Sequence, residues 1–207
     1  MMQVQRRFKG FADESLDAQS TFRAMMMALA EPGHIQTVKS SPDAPEHLGP
    51  AFASIILTLI DKETPVWCDE TLKNDADFRE FLTFHTHAPL VDDPAKAAFA
   101  FVAQAAHCPQ LSAFNPGDAA YPETSTTLVL AVQTLSGADE ATLFGPGIAT
   151  TNTIAAAPLP ENFWAQWDAN ARAYPLGIDV LLCCGPDMIG LPRSSHRHIG
   201  SATQTEA

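Results

Sequence analysis

Residues 178–184, IDVLLCC, form an apolar run broken only by Asp179. A run of this length, rich in Ile, Val and Leu, suits a strand covered on both faces. Pro175 and Gly177 mark its start, and Gly185-Pro186-Asp187 reads as a tight turn at its end. Residues 188–191 then read as a return strand, ended by Pro192. A strand buried on both faces needs a packed layer on each side, and this narrows the choice of architecture more than any other feature.

Arg193, Ser194, Ser195 and His196 follow the return strand. A cation, two hydroxyls and an imidazole at one sheet edge supply donors for a phosphate or carboxylate. The same four residues also suit an ordinary polar terminus. Arg23 and His85 complete the candidate anion pocket, which is Arg23, His85, Arg193, Ser194 and His196. On this reading, Arg193→Ala removes phosphate or phosphonate binding with little loss of stability.

Earlier in the chain, residues 13–31 read as a helix. Asp13 caps it, and Asp17 adds favourable charge near its start. Leu16, Gln19, Arg23, Met26, Met27 and Ala30 mark successive turns, a stripe suited to a core or a subunit contact. Arg23 lies mid-helix, placed for a surface ion pair or for reaching inward to a ligand. Pro32-Gly33 stops the helix, and residues 35–38 suit a strand. Residues 51–60 are apolar all round and read as an internal helix. Residues 65–68 suit an edge strand because of Pro65. A helix capped by Asn74 or Asp75 runs to Phe84.

His85-Thr86-His87 then reads as a polar loop. Its two histidines share a face if extended, but local spacing fixes no further metal ligand. Residues 98–102 suit a strand, and 104–114 a helix broken by Pro109. Residues 126–135 form the clearest β-branched strand, with a turn at 136–139 and a partner strand at 141–144. Gly145-Pro146-Gly147 lacks GK[ST] and is not GxGxxG, so it reads as a turn rather than a phosphate loop. Residues 159–172 suit a helix that packs Trp164 and Trp167 on the sheet.

This alternation predicts an α/β fold with one mixed sheet and helices on both faces. The 207 residues suit one domain over 13–196, with a flexible arm at 1–12 and a disordered tail at 197–207. A formal net charge of −12 opposes binding to nucleic acid or anionic lipid. No stretch has the form of a signal peptide or reaches transmembrane length. The four cysteines form no CxxC and read as reduced, mostly buried thiols of a cytoplasmic protein, with no metal. Alternation places Cys183 and Cys184 on opposite faces.

Several segments in order resemble the PhnH family of the bacterial carbon–phosphorus lyase system. They are Phe22-Arg23 with ALAEPG (28–33), LTLIDKETPVW (57–67), FHTHAPLV (84–91), GDAAYPETSTTLVL (117–130), LFGPGIA (143–149), PLGIDVLL (175–182) and LPRSSH (191–196). The resemblance spans residues 13–196. It implies a three-layer α/β/α sandwich, distantly similar to pyridoxal-phosphate-dependent transferases but without the cofactor. It implies a homodimer that joins the G, I and J subunits. In that system the G, H, I and L set transfers a phosphonate to ribose C1′ of ATP and releases adenine, and the J subunit later breaks the carbon–phosphorus bond. The H subunit's implied role is non-catalytic.

His87 stands where members can carry Asn, which weakens it as a required ligand. Ser194 and Ser195 stand where members can carry threonines. Lys9, Lys39, Lys62, Lys73 and Lys96 all lie in polar or turn-like segments, unsuited to a Schiff base. Competing readings are a stand-alone enzyme or binding domain for an anionic small molecule, and, on fold analogy alone, a pyridoxal-phosphate enzyme.

Overall fold

The computed structural model describes residues 7–137 and 140–198. The rest of the expected arm and tail, 1–6 and 199–207, and the tip of the 136–139 turn lie outside these. The helices are α1 (Glu14–Ala30), α2 (Pro50–Leu59), α3 (Glu70–Asn74), α4 (Ala76–Thr86) and α5 (Phe163–Arg172). The strands are β1 (Gln36–Thr37), β2 (Val66–Cys68), β3 (Phe99–Val102), β4 (Thr127–Ala131), β5 (Ala141–Phe144), β6 (Asn152–Ile154), β7 (Asp179–Cys184), β8 (Asp187–Leu191) and β9 (His196–Arg197). The class is α/β, with a mixed six-stranded sheet in the order β1-β8-β7-β4-β3-β2. Neighbours from β2 to β7 pair in parallel, whereas β8 and β1 are antiparallel additions.

The apolar run behaves as its composition demands. In β7, Leu181 and Cys183 enter one core while Val180 and Leu182 enter the other. The first core is roofed by α1, α2 and α4. The second is covered by α5, short turns and a small antiparallel sheet ordered β6-β5-β9. Cys183 and Cys184 fall on opposite sides, as alternation requires. The turn between β7 and β8 is also anchored. Gly185 O accepts from Ala51 N at 2.9 Å and Pro186 O from Val38 N at 2.8 Å, tying α2 and the end of β1 to the hairpin. Gly190 lets α1 lie directly on β8, since a Cβ there would stand 2.5 Å from the Ala28 backbone.

The sequence's hairpin between the 126–135 strand and 141–144 does not form. β4 has parallel neighbours on both sides, and β5 pairs with β6 and β9 instead. Leu128, Val129 and Leu130 are all fully buried, so β4 belongs in the middle of a covered sheet. Burial on both faces outweighs a local turn signal.

The helix boundaries also move. Asp75 caps α4 as expected, but the helix continues through Thr86, and His87 ends it in the left-handed region at φ 54°. Asn and His are among the side chains that tolerate this conformation best, which gives a backbone reason for their exchange at position 87. The short helix α3, capped by Asp69, has no counterpart in the sequence reading. α5 starts at Phe163 rather than 159.

Residues 7–12, expected as part of a loose arm, are tied down. Arg7 pairs with Asp77, Phe8 meets Phe81 edge-on, and Gly10 and Asp43 exchange backbone hydrogen bonds. The stripe on α1 divides. Met25 is buried, while Leu16, Phe22, Met26 and Met27 face outward, with Leu16 63% exposed. No helix among the described residues is long and apolar enough to cross a membrane.

Candidate functional site

The chain changes direction across the sheet at β2. It leaves β2 through α3 and α4 over the first core. Leu90 then forms a parallel bridge to Val66 on the outer side of β2, and the chain returns over the second core to β3. In open α/β sheets, ligands bind in the crevice outside the carboxyl ends of the strands. Asp69, just after β2, locks this point. Its fully buried carboxylate accepts from Leu72 N at 3.0 Å, Ala103 N at 3.1 Å and Gln104 N at 3.0 Å.

Beside this lock an open cleft of about 1130 Å³ lies over the ends of β3 and β4. Ala103, Gln104 and Cys108 form one side, Ala131 and Gln133 another, and Pro158, Pro160 and Asn162 the third. Gln166 is fixed in the wall, accepting from Leu111 N at 2.7 Å and donating to Glu161 O at 2.7 Å. His47 stands at the rim, 2.6 Å from Asp75. Among the described residues, neither lysine nor arginine lines this cleft.

Burial, and secondarily the charge of Asp69, pushes the Cys108 thiol from its ordinary value near 9 up to about 12. Burial also raises Cys68 and Cys183. These thiols stay protonated in the folded chain while the unfolded chain ionises them. Their contribution to stability is therefore complete below the unfolded value and lost as pH climbs through the folded one. The denaturation midpoint is expected to fall steadily above pH 9 toward about 12. Thiol reagent should label Cys68 and Cys183 only after unfolding. Rapid labelling of either of these two thiols in the native protein at neutral pH would contradict this.

The residues of the expected anion pocket are distributed over the molecule. Arg193 is held inside it. Its Nε donates to Asp179 Oδ1 at 3.2 Å, Nη2 to Asp179 Oδ2 at 2.7 Å, and Nη1 to Pro122 O at 2.7 Å; Nη2 also reaches Ser125 Oγ. Asp179 Oδ1 further accepts the Arg193 backbone N–H at 2.8 Å. The one interruption in the apolar run is thus the counter-charge of this guanidinium. Ser194 shares a shallow cleft with Arg193 beside Pro122 and Tyr174. His196 lies in β9, stacked on Phe144 at 5.5 Å. His85, at the end of α4, lies between Phe81 and Phe84, with Nε2 3.3 Å from Phe8 O. Arg23 is exposed on α1. Of the five, Arg193 and Ser194 line a common cleft.

Two features escaped the sequence reading. Asp69 had a signal, since an acidic residue three before Leu72 can cap a turn, but its bonds to Ala103 and Gln104 are 34 and 35 residues away. The second is Asp168, which holds Arg197 at 2.5 Å and raises the affinity of that guanidinium for its proton. None of the five lysines is buried; Lys73 lies 3.7 Å from Glu70 and 3.9 Å from Asp92. Among the described residues, no group of three His, Cys, Asp or Glu is placed to hold a metal ion.

The chain matches the family described as bacterial phosphonate metabolism protein (PhnH) over residues 9–198. It is 37% identical over 185 residues to the alpha-D-ribose 1-methylphosphonate 5-triphosphate synthase subunit PhnH of Rhizobium meliloti (strain 1021), covering 89% of this chain and 92% of that one. It is 30% identical over 84 residues to HtxG of Stutzerimonas stutzeri, named as a candidate C-P lyase subunit, covering 39% of this chain and 42% of that one. The matched region takes in the whole six-stranded sheet, both cores and the Asp179–Arg193 pair, so the chain belongs to the PhnH family of bacterial phosphonate metabolism proteins.

Proposed function

We propose that this chain is the H subunit of an alpha-D-ribose 1-methylphosphonate 5-triphosphate synthase, working in organic phosphonate breakdown and supplying none of the reacting groups itself. The observation that carries this reading is the 37% identity to the Rhizobium meliloti subunit across nearly the full length of both chains. The side-chain chemistry agrees with it. Among the described residues, the most enclosed guanidinium is neutralised by Asp179, none of the lysines is buried, and the buried thiols are held protonated.

Within this reading the chain is a homodimer that assembles with the G, I and J subunits in the cytoplasm. The outward stripe of Leu16, Phe22, Met26 and Met27 on α1 supplies an apolar contact surface, and four free cysteines suit a reducing compartment. The sheet with α1, α2 and α4 on one side and α5 on the other is read as the three-layer sandwich distantly related to pyridoxal-phosphate transferases, with no lysine placed to hold that cofactor.

A tagged chain expressed with the other subunits should co-purify with G, I and J. Alone, it should not turn over ATP with methylphosphonate. Turnover by the isolated chain, or failure to recover the other subunits with it, would overturn the reading. A stand-alone phosphate binder is the weaker alternative, because it needs an uncommitted cation in a cleft and Arg193 does not provide one.

A further inference from the structure

The chain carries 24 Asp and Glu residues, yet the outward face of α1 from Leu16 to Ala30 holds none of them. Leu16, Phe22, Met26 and Met27 are exposed there, together with Gln19 and Arg23. Asp17, the one acid within this stretch, is half-buried and serves the helix start, where it accepts from Asp13 N at 3.0 Å. The cores of protein interfaces are enriched in Phe, Met and Arg and depleted of Asp, Glu and Lys. This face has that composition.

Arg23 stands at its middle. The residues one turn away are Gln19, Ser20, Met26 and Met27, none of them acidic. Arg7, Arg193 and Arg197 each meet a carboxylate, whereas Arg23 makes no ion pair or hydrogen bond among the described residues. A guanidinium set among outward apolar side chains, in a chain of formal net charge −12, is a seat for a carboxylate that this chain does not supply. The central place of Arg23 also selects between partners. Two copies that meet through the same patch do so about a two-fold axis. An axis through the middle of the stripe brings the two Arg23 side chains together, a like-charge contact that costs affinity. An axis moved toward either end leaves half of the apolar face uncovered.

We propose that the outward face of α1 docks a different chain, through a helix face that is apolar and carries one Asp or Glu opposite Arg23. The proposal rests on the reading of this chain as one subunit of an assembly. To that reading it adds the surface used and the chemistry that meets it, and it places any contact between two copies elsewhere. Phe22, Met26 and Met27 supply the apolar area. Arg23 supplies selection, since a partner without the carboxylate leaves a desolvated guanidinium unpaired.

The test is recovery of co-expressed G, I and J subunits with the tagged full chain at about 0.15 M salt. Arg23→Ala should cut recovery about 10-fold. Arg23→Glu should abolish it, and Arg23→Lys should restore part of it, because the charge returns without the planar fork. A combined Phe22→Ser, Met26→Ser variant should also lower recovery, while Arg172→Ala, exposed on α5, should leave it unchanged. All of these side chains are exposed, so thermal melts should match the wild type. Sedimentation of the isolated chain should give one oligomeric state for the wild type and the double variant alike. The proposal fails alone if the wild type recovers the subunits and Arg23→Glu recovers them equally. It also fails alone if the double variant turns a dimer into a monomer, which would make α1 the contact between copies. If the wild type recovers none of the subunits, the subunit reading fails and this proposal falls with it.

Discussion

Arg193→Ala is expected to lower stability by about 3 kcal/mol and the thermal midpoint by roughly 6–12 °C. The reason is the partner left behind. Asp179 is 22% exposed and Arg193 13%, so removing the guanidinium leaves a largely enclosed carboxylate with one backbone N–H for company. It also strips a donor from Pro122 O and from Ser125. The exposure of the pair is the reason for choosing the lower end of the range for buried ion pairs. Arg193→Lys should recover less than half, because an ammonium cannot reproduce the planar fork that meets both carboxylate oxygens and Pro122.

A combined Arg193→Met, Asp179→Leu variant should be more stable than either single variant, since no unpaired charge remains. Arg23→Ala, exposed on α1, should move stability by no more than about 0.5 kcal/mol. Thermal melts of these variants decide between two roles. If Arg193→Ala melts with the wild type and loses phosphate binding, the internal pin described above is mistaken and the anion pocket is reinstated.

The second large effect is expected at Asp69. Its carboxylate satisfies three backbone N–H groups, one that starts α3 and two that begin the turn after β3. Hydrogen bonds to a charged acceptor contribute about 1.5–3 kcal/mol each, and a buried donor left unmade is costly. Asp69→Ala should therefore destabilise by about 4 kcal/mol, allowing for partial relaxation. Asp69→Asn keeps one acceptor oxygen, so it can serve the cap or the turn but not both, and should cost roughly half as much.

Urea unfolding would measure the totals. Amide exchange gives the finer reading, since Ala103 and Gln104 should lose protection well beyond the global change. Unchanged protection there, or a total loss under about 1 kcal/mol, would show that the clamp is incidental.

Strands buried on both faces were legible because their composition is dictated by two apolar environments at once. The run at 178–184 became β7, with its side chains alternating between the cores, and the edge position of β2 followed from Pro65. Capping was equally local. Asp13 and Asp75 sit where a side-chain oxygen meets the first free amides. Strand partners were less legible. The turn near 136–139 suggested a hairpin, yet β5 joined a second sheet because the central position of β4 was set by contacts made far along the chain. The outward face of α1 was undecided for a similar reason. Apolar residues occur on several sides of that helix, and its packing against β8 at Gly190 and against α2 determines which of them turn inward.

The candidate site divides along the same line. Residue types capable of binding an anion were readable from Arg193, Ser194 and His196, but their availability was not. A guanidinium is a ligand donor or a structural pin according to whether a carboxylate meets it, and Asp179 is 14 residues away on the neighbouring strand. Local sequence, acting through propensity, capping and burial pattern, determined which segments become helices and covered strands and pointed to the PhnH family. Tertiary structure alone decided which charges cancel and which carboxamides gather in one cleft. Those outcomes depend on through-space distances between segments that the order of residues along the chain does not specify.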